Sequence, residues 1–201
     1  MNMRTLVASM LAASLMGCVS TGERQAHRYY VLEPRAASAP AAPRDGKVAV
    51  LATTAAAFYE TQDIVFSRAP GVRGYYQFNH WTERPNRAIH DELARRIGPA
   101  NPDSPYLLAT HLSEIYHDAA DSPGRSRVTV VAQLIERARG TVVAQKTFSR
   151  EAPATSYDAA GAVRGCDDAV GSLLDELVEW IDEETAVPPT PRRTSRSRAP
   201  G

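Results

Sequence analysis

Cysteine and lysine are nearly missing from this sequence of 201 residues: each occurs twice, as Cys18 and Cys166 and as Lys47 and Lys146. Two thiols exclude the disulfide framework of a small secreted domain. Rare lysine beside abundant Ala, Arg and Pro reads as the imprint of a GC-rich genome. Net charge is missing as well, with 23 basic against 23 acidic side chains, which excludes a global attraction to nucleic acid. No phosphate-binding Gly-rich loop and no Gly-x-Ser-x-Gly elbow is present. No internal repeat is evident. What remains is an ordinary apolar content and enough length for one domain with a real core.

The N-terminus is the most informative segment. Arg4 precedes an apolar stretch over residues 5–15, about half the length needed to cross a bilayer core, so it reads as a signal h-region. It ends in Leu15-Met16-Gly17-Cys18, which resembles the bacterial lipobox, with Met16 departing from the usual small residue. Cleavage before Cys18 would leave 22 basic and 23 acidic groups, since Arg4 is lost, a net of −1. Lipid on the Cys18 thiol and on the new amino group would place three acyl chains in the bilayer. At about 0.8 kcal/mol per buried methylene, several chains anchor firmly where one does not. No other cofactor is expected. Val19, in place of the Asp that often retains lipoproteins in the inner membrane, favours a lipid-anchored place on the periplasmic face of the outer membrane.

The organisation that follows is 1–17 signal peptide, 18–27 lipidated tether, 28–184 folded domain and 185–201 disordered Pro/Arg-rich tail. Strands are expected at 28–33, 47–51, 64–67 and 74–79, with an extended Pro-rich connection at 34–44. Residues 81–85 open a helix, with Thr82 or Glu83 as cap and Pro85 in the first turn. Ile89, Leu93 and Ile97 form its apolar stripe, and Gly98-Pro99 ends it. Three longer strands follow at 106–117, 127–137 and 141–149, the last two joined through Ala138-Arg139-Gly140. In the middle strand Val128, Val130, Ala132 and Leu134 share a core face, while Thr129, Val131, Gln133, Ile135 and Arg137 lie on a half-covered one. Residues 156–184 form a long final helix with one seam of Val163, Cys166, Val170, Leu173, Leu177 and Ile181; Asp167, Asp168, Asp175, Glu179 and Asp182 lie off it. The fold class is α/β (α+β): a mixed or largely antiparallel sheet with two main helices packed on it, in a single domain.

Catalytic and metal sites are not expected. His111 and His117 share a strand face in this reading, but about 20 Å apart, too far to chelate one ion. Asp91 and Glu92 are adjacent on a helix and read as solvated. Cys166 reads as a small buried hydrophobe. Tyr75, Tyr76, Phe78 and Trp81 cluster before the first helix. Core packing is the favoured reading, with partner or lipid contact through Tyr75, Tyr76 and Trp81 beside it; Tyr75 and Tyr76 point to opposite strand faces, so at least one is expected to be exposed.

The segments YYVLE at 29–33, KVAV at 47–50, DIVFSR at 63–68, GYYQF at 74–78 and HWTERP at 80–85, with the late hairpin and the helix through Trp180, resemble the ABC-type transport auxiliary lipoprotein family, which includes the paraquat-inducible protein C-like lipoproteins. His80 departs from the Arg usual in that family. The resemblance implies a non-enzymatic periplasmic accessory subunit. Its partners would be the membrane, through the N-terminal acyl chains, and a mammalian-cell-entry (MCE) domain protein with an ABC permease/ATPase complex that moves lipid between membranes. A homo-oligomer would suit such a conduit. The alternative is a structural or assembly lipoprotein serving an outer-membrane barrel or a secretion complex. An envelope hydrolase is disfavoured, because no nucleophile, base and orienting group assemble from recognisable motifs.

Overall fold

Period-two alternation over the second half of the chain builds the sheet, and two amphipathic helices cover one of its faces. The structure, a computed structural model, describes residues 25–35, 46–99 and 101–186. The signal segment, the lipobox with Cys18, nearly all of the Pro-rich connection and the tail from 187 lie outside these residues. The strands are β1 (Arg28–Tyr30), β2 (Val48–Val50), β3 (Thr54–Ala55), β4 (Asp63–Ser67), β5 (Gly74–Trp81), β6 (Tyr106–Asp118), β7 (Arg125–Glu136) and β8 (Thr141–Pro153). The helices are α1 (Pro85–Ile97) and α2 (Ala159–Ala186), with a 3-10 turn at Ala57–Tyr59.

The strands form one mixed sheet in the order β1-β5-β4-β6-β7-β8. Strands β6, β7 and β8 make a long antiparallel meander, turned through Gly140 at φ 62°, a conformation that glycine adopts without steric cost. Along its other edge β6 receives β2, β3 and β4 in succession, all parallel. Strand β5 pairs antiparallel with β4, and β1 adds parallel to β5. Both helices pack on the same face, α2 against β8, β7 and β6 and α1 against β2 and β6 beside it. The core is Leu108, Leu112, Val128, Val130, Leu134 and Phe148 from the sheet against Ile89, Leu93 and Ile97 of α1 and the seam Val163, Cys166, Val170, Leu173, Leu177 and Ile181 of α2, all buried.

The fold class is the one expected, and several local expectations change. The first strand is shorter, because residues 31–35 leave the sheet and cross to α2. There the Glu33 and Arg35 amides donate to the Asp167 side chain (2.9 Å) and carbonyl (3.2 Å), and Arg35 pairs with Asp168. Asp167 is therefore buried, not solvated. Trp81 closes β5 and is buried instead of opening the helix. Neither Thr82 nor Glu83 caps α1: Arg84 is its N-cap, in an extended conformation, with Pro85 as the first helical residue. At the start of α2 the cap is a carboxylate, Asp158, whose Oδ1 accepts the Gly161 amide at 2.8 Å. That bond, with one from Ser156, holds the Asp158 carboxyl below its ordinary pKa. The helix runs on to Ala186, two residues beyond the expected end.

Two more expectations are overturned. Glu92 is buried because its two oxygens accept from Arg96 Nε (2.7 Å) and from Arg95, so the charge enters the interior already paired. Arg96 then reaches Asp175 and the Gly171 carbonyl on α2, tying the two helices together. Also, His111 and His117 do not share a face. Leu112 pairs with Val130 and Glu114 with Thr129, which leaves Ser113 as an unpaired bulge residue. One extra residue reverses the alternation, so His117 is buried at 1% exposure while His111 faces the open side with Thr54.

Candidate functional site

Strand β5 holds the aromatic residues singled out above, and its alternation separates them. Tyr75 points to the open face, where its ring stacks on Phe58 with centroids 4.9 Å apart; they are 43% and 40% exposed. The 3-10 turn presents Phe58 outward and buries Tyr59. Arg73 lies beside this pair. Its guanidinium sits 3.8 Å over the Tyr116 ring, donates to the Tyr59 hydroxyl at 3.2 Å and pairs with Glu114 at 3.4 Å. Partial burial raises the Tyr116 pKa, so its ring stays neutral under the cation. The result is a fixed aromatic platform with one guanidinium laid across it, suited to recognition by stacking and cation–π contact.

Tyr76 points inward and is half-buried. Its hydroxyl lies 2.7 Å from His117 Nδ1, and His117 Nε2 lies 2.8 Å from the Pro123 carbonyl. The carbonyl only accepts, so Nε2 donates and Nδ1 of the neutral ring accepts from Tyr76. Burial pushes the Tyr76 pKa up to about 12, with Asp158 adding to it, which keeps that hydroxyl a donor. Trp81, at 2% exposure, packs in the core, its backbone amide bonded to the Gln62 carbonyl at 2.6 Å. Of the three expected contact residues, Tyr75 is the most exposed.

The outer edge of β5 carries a second cluster. His27, just before β1, stacks on His80 with centroids 5.1 Å apart and lies edge-on to Phe78. His27 Nδ1 is 2.9 Å from His80 Nε2, and His80 Nδ1 is 2.9 Å from Asp63 Oδ1. His80 donates to Asp63, which only accepts, and one chain of hydrogen bonds through His80 and His27 holds the segment entering β1. Beside it is a shallow cleft of about 380 Å³ lined by Tyr29, Glu60, Gln62 and Arg84 among others. A larger cleft of about 580 Å³ at the start of α1 is lined by Thr53, Arg84, Asn86, Arg87 and His90 with Glu83 and Asp91. Its charges are mixed, and nothing in it selects one ligand class.

Cys166 is fully buried, and burial pushes its thiol up to about 12, so it is protonated and shielded. Among the described residues no group of three His, Cys, Asp or Glu side chains is placed to hold a metal ion, and no helix is long and apolar enough to cross a membrane. Sequence reasoning found Tyr75 but missed Phe58, Arg73 and Tyr116. They lie on the 3-10 turn, in the β4–β5 connection and on β6, and no periodic pattern links them; only the pairing of β4, β5 and β6 brings them together.

The sequence matches, over residues 30–178, the family model described as "ABC-type transport auxiliary lipoprotein component". No curated protein matches. Two solved structures share the fold. A protein of Xanthomonas campestris assigned to the family model DUF330 is 24% identical, with a TM-score of 0.71 over 79% of this chain and 96% of that one. An uncharacterized protein is 11% identical, with a TM-score of 0.61 over 78% of this chain and 99% of that one.

Proposed function

The chain belongs to the ABC-type transport auxiliary lipoprotein component family, and from that premise we propose that it is a non-catalytic subunit anchored by lipid at Cys18 in the outer membrane, facing the periplasm. There it works beside an MCE-domain protein and an ABC permease/ATPase pair that move lipid between the two membranes. The observation that supports this reading most is the extent of the match, 30–178, which takes in strands β2 to β8, the whole of α1 and most of α2. The lipobox-like run Leu15-Met16-Gly17-Cys18 lies upstream of that span. The surface through which the body meets its protein partner is the platform of Tyr75, Phe58 and Arg73.

The test is done in the native host. Labelled palmitate is expected to enter the wild-type protein and not Cys18→Ala, which is released from the membrane fraction. Affinity capture of wild type is expected to recover an MCE-domain protein, and Tyr75→Ala to lose it while melting unchanged. An unlabelled wild-type protein overturns the anchor. Recovery of a barrel-assembly or secretion component in place of the MCE-domain protein overturns the transport role.

A further inference from the structure

We propose that the end of the domain where the β4–β5, β6–β7 and β8–α2 connections meet is a membrane-seating surface that rests on zwitterionic phospholipid headgroups, with Val72 and Tyr157 as its apolar contacts. This deepens the lipid-anchor reading above, on which it rests, by giving the anchored body one orientation.

The three connections form one knitted surface. The Ala119 amide donates to the Ser67 carbonyl at 2.7 Å, Ala154 to Gly124 at 3.0 Å, and the Tyr157 hydroxyl to the Ala119 carbonyl at 2.8 Å. Two large apolar residues project from it, Val72 at 57% and Tyr157 at 47% exposure. Pro70 and Pro123 flank them, also exposed. A half-exposed tyrosine ring and an exposed aliphatic side chain on the same end of the domain suit the headgroup level, where apolar and polar groups meet. Charge is balanced there: Arg68, Arg73, Arg125, Arg127 and Arg164 stand against Glu114, Asp118, Asp121, Glu151 and Asp158. Such an end is neither drawn to nor repelled by an anionic surface, and zwitterionic headgroups are the matching partner.

The path of the chain points the same way. Strand β1 runs parallel to β5 with Arg28 opposite Asn79, and His27 packs on Phe78. Followed backwards, the chain therefore heads for Gly74 and the β4–β5 turn, roughly 13 Å from Phe78 at strand spacing. Cys18 lies seven residues before Gln25, which allows at most about 25 Å of reach. The opposite end of the sheet, with exposed Val142 and Val143, lies about 40 Å along β8 from the β8–α2 connection, away from the direction in which the chain heads.

The test uses the full lipidated protein in phosphatidylcholine vesicles, with Val72→Cys or Val142→Cys bearing an environment-sensitive fluorophore. Cys166 is buried and Cys18 acylated, so the introduced thiol is the one labelled. The expected result is blue-shifted emission and loss of most intensity to bromine-substituted acyl chains at position 72, with neither at 142. Absence of quenching at 72, or quenching at 142, in protein that sediments with the vesicles overturns the seating surface and leaves the anchor standing. Protein that fails to sediment, with an unmodified Cys18 by mass, overturns the anchor and this orientation with it.

Discussion

Asp167 sits where a carboxylate is least comfortable, with its side chain under the crossing segment 31–35 and an amide of that segment as its principal donor. Burial raises its pKa to about 6, against the pull of the Glu33 amide and Arg35. Its unfolded value is near 3.9, so between pH 4 and 6 the folded state holds a proton that the unfolded state has released. Asp167 therefore adds stability when protonated, fully below its unfolded pKa, and that stability is lost as pH rises through about 6. Asp167→Asn keeps an oxygen for the Glu33 amide and removes the charge. It is expected to melt above wild type at pH 7.5, with the gap closing as pH falls to 4; a gap independent of pH across thermal scans would refute this account. The sequence could not disclose the role of Asp167. In the register of α2 it falls one step off the apolar seam, and only the return of residues 31–35 across the helix covers it. Glu92 was hidden for a different reason: its burial depends on Arg96 of its own helix turning inward with it, while Arg95 pairs with its other oxygen from the solvent side.

The long elements were the legible ones. Spacing of three and four residues fixes the buried seam of α2, and alternation fixes the inner face of β7, because each pattern has one way to bury its apolar residues. The short parallel strands were harder to read. Thr54–Ala55 and the turn Ala57–Tyr59 carry no period long enough to register, yet they place Phe58 beside Tyr75. Half of the aromatic platform was thus invisible in the sequence, while Tyr75 was found because it sits in an eight-residue strand. Helix α2 also makes a contact that composition alone does not signal. A Cβ on Gly171 would fall 1.8 Å from the Arg35 carbonyl oxygen, so the crossing segment lies directly on the helix backbone. Gly171→Ala is expected to lower stability by about 1–3 kcal/mol through overpacking. It should also speed hydrogen exchange at the Glu33 and Arg35 amides before the rest of the fold; unchanged exchange at those two amides would show that the segment is not held there.

At the scale of the whole molecule the sheet is one-sided. Both helices cover the face of Val128, Val130 and Leu134, and β8 pairs through one edge. Phe148 and Thr147 are neighbours on that strand, yet Phe148 is 1% exposed and packs edge-on to Trp180 while Thr147 faces outward. Phe148→Ala is expected to cost about 3–5 kcal/mol in denaturant unfolding, and Thr147→Arg less than about 0.5 kcal/mol. A large loss from the arginine would mean that the outer face is covered after all.

Ser113 gives this asymmetry a hinge in phase. Up to Leu112 the even-numbered residues of β6 look inward, and from Ile115 the odd ones do, as when a knitted row drops a single stitch and every later loop faces the other way. Deleting Ser113 would leave Leu112, Glu114 and Ile115 in unbroken register with Val130, Thr129 and Val128, so Ile115 and His117 would keep their inward places and the Tyr76 hydroxyl its imidazole. The surplus serine is thus spare length: it bends the strand where it sits without deciding which side chains line the interior beyond it.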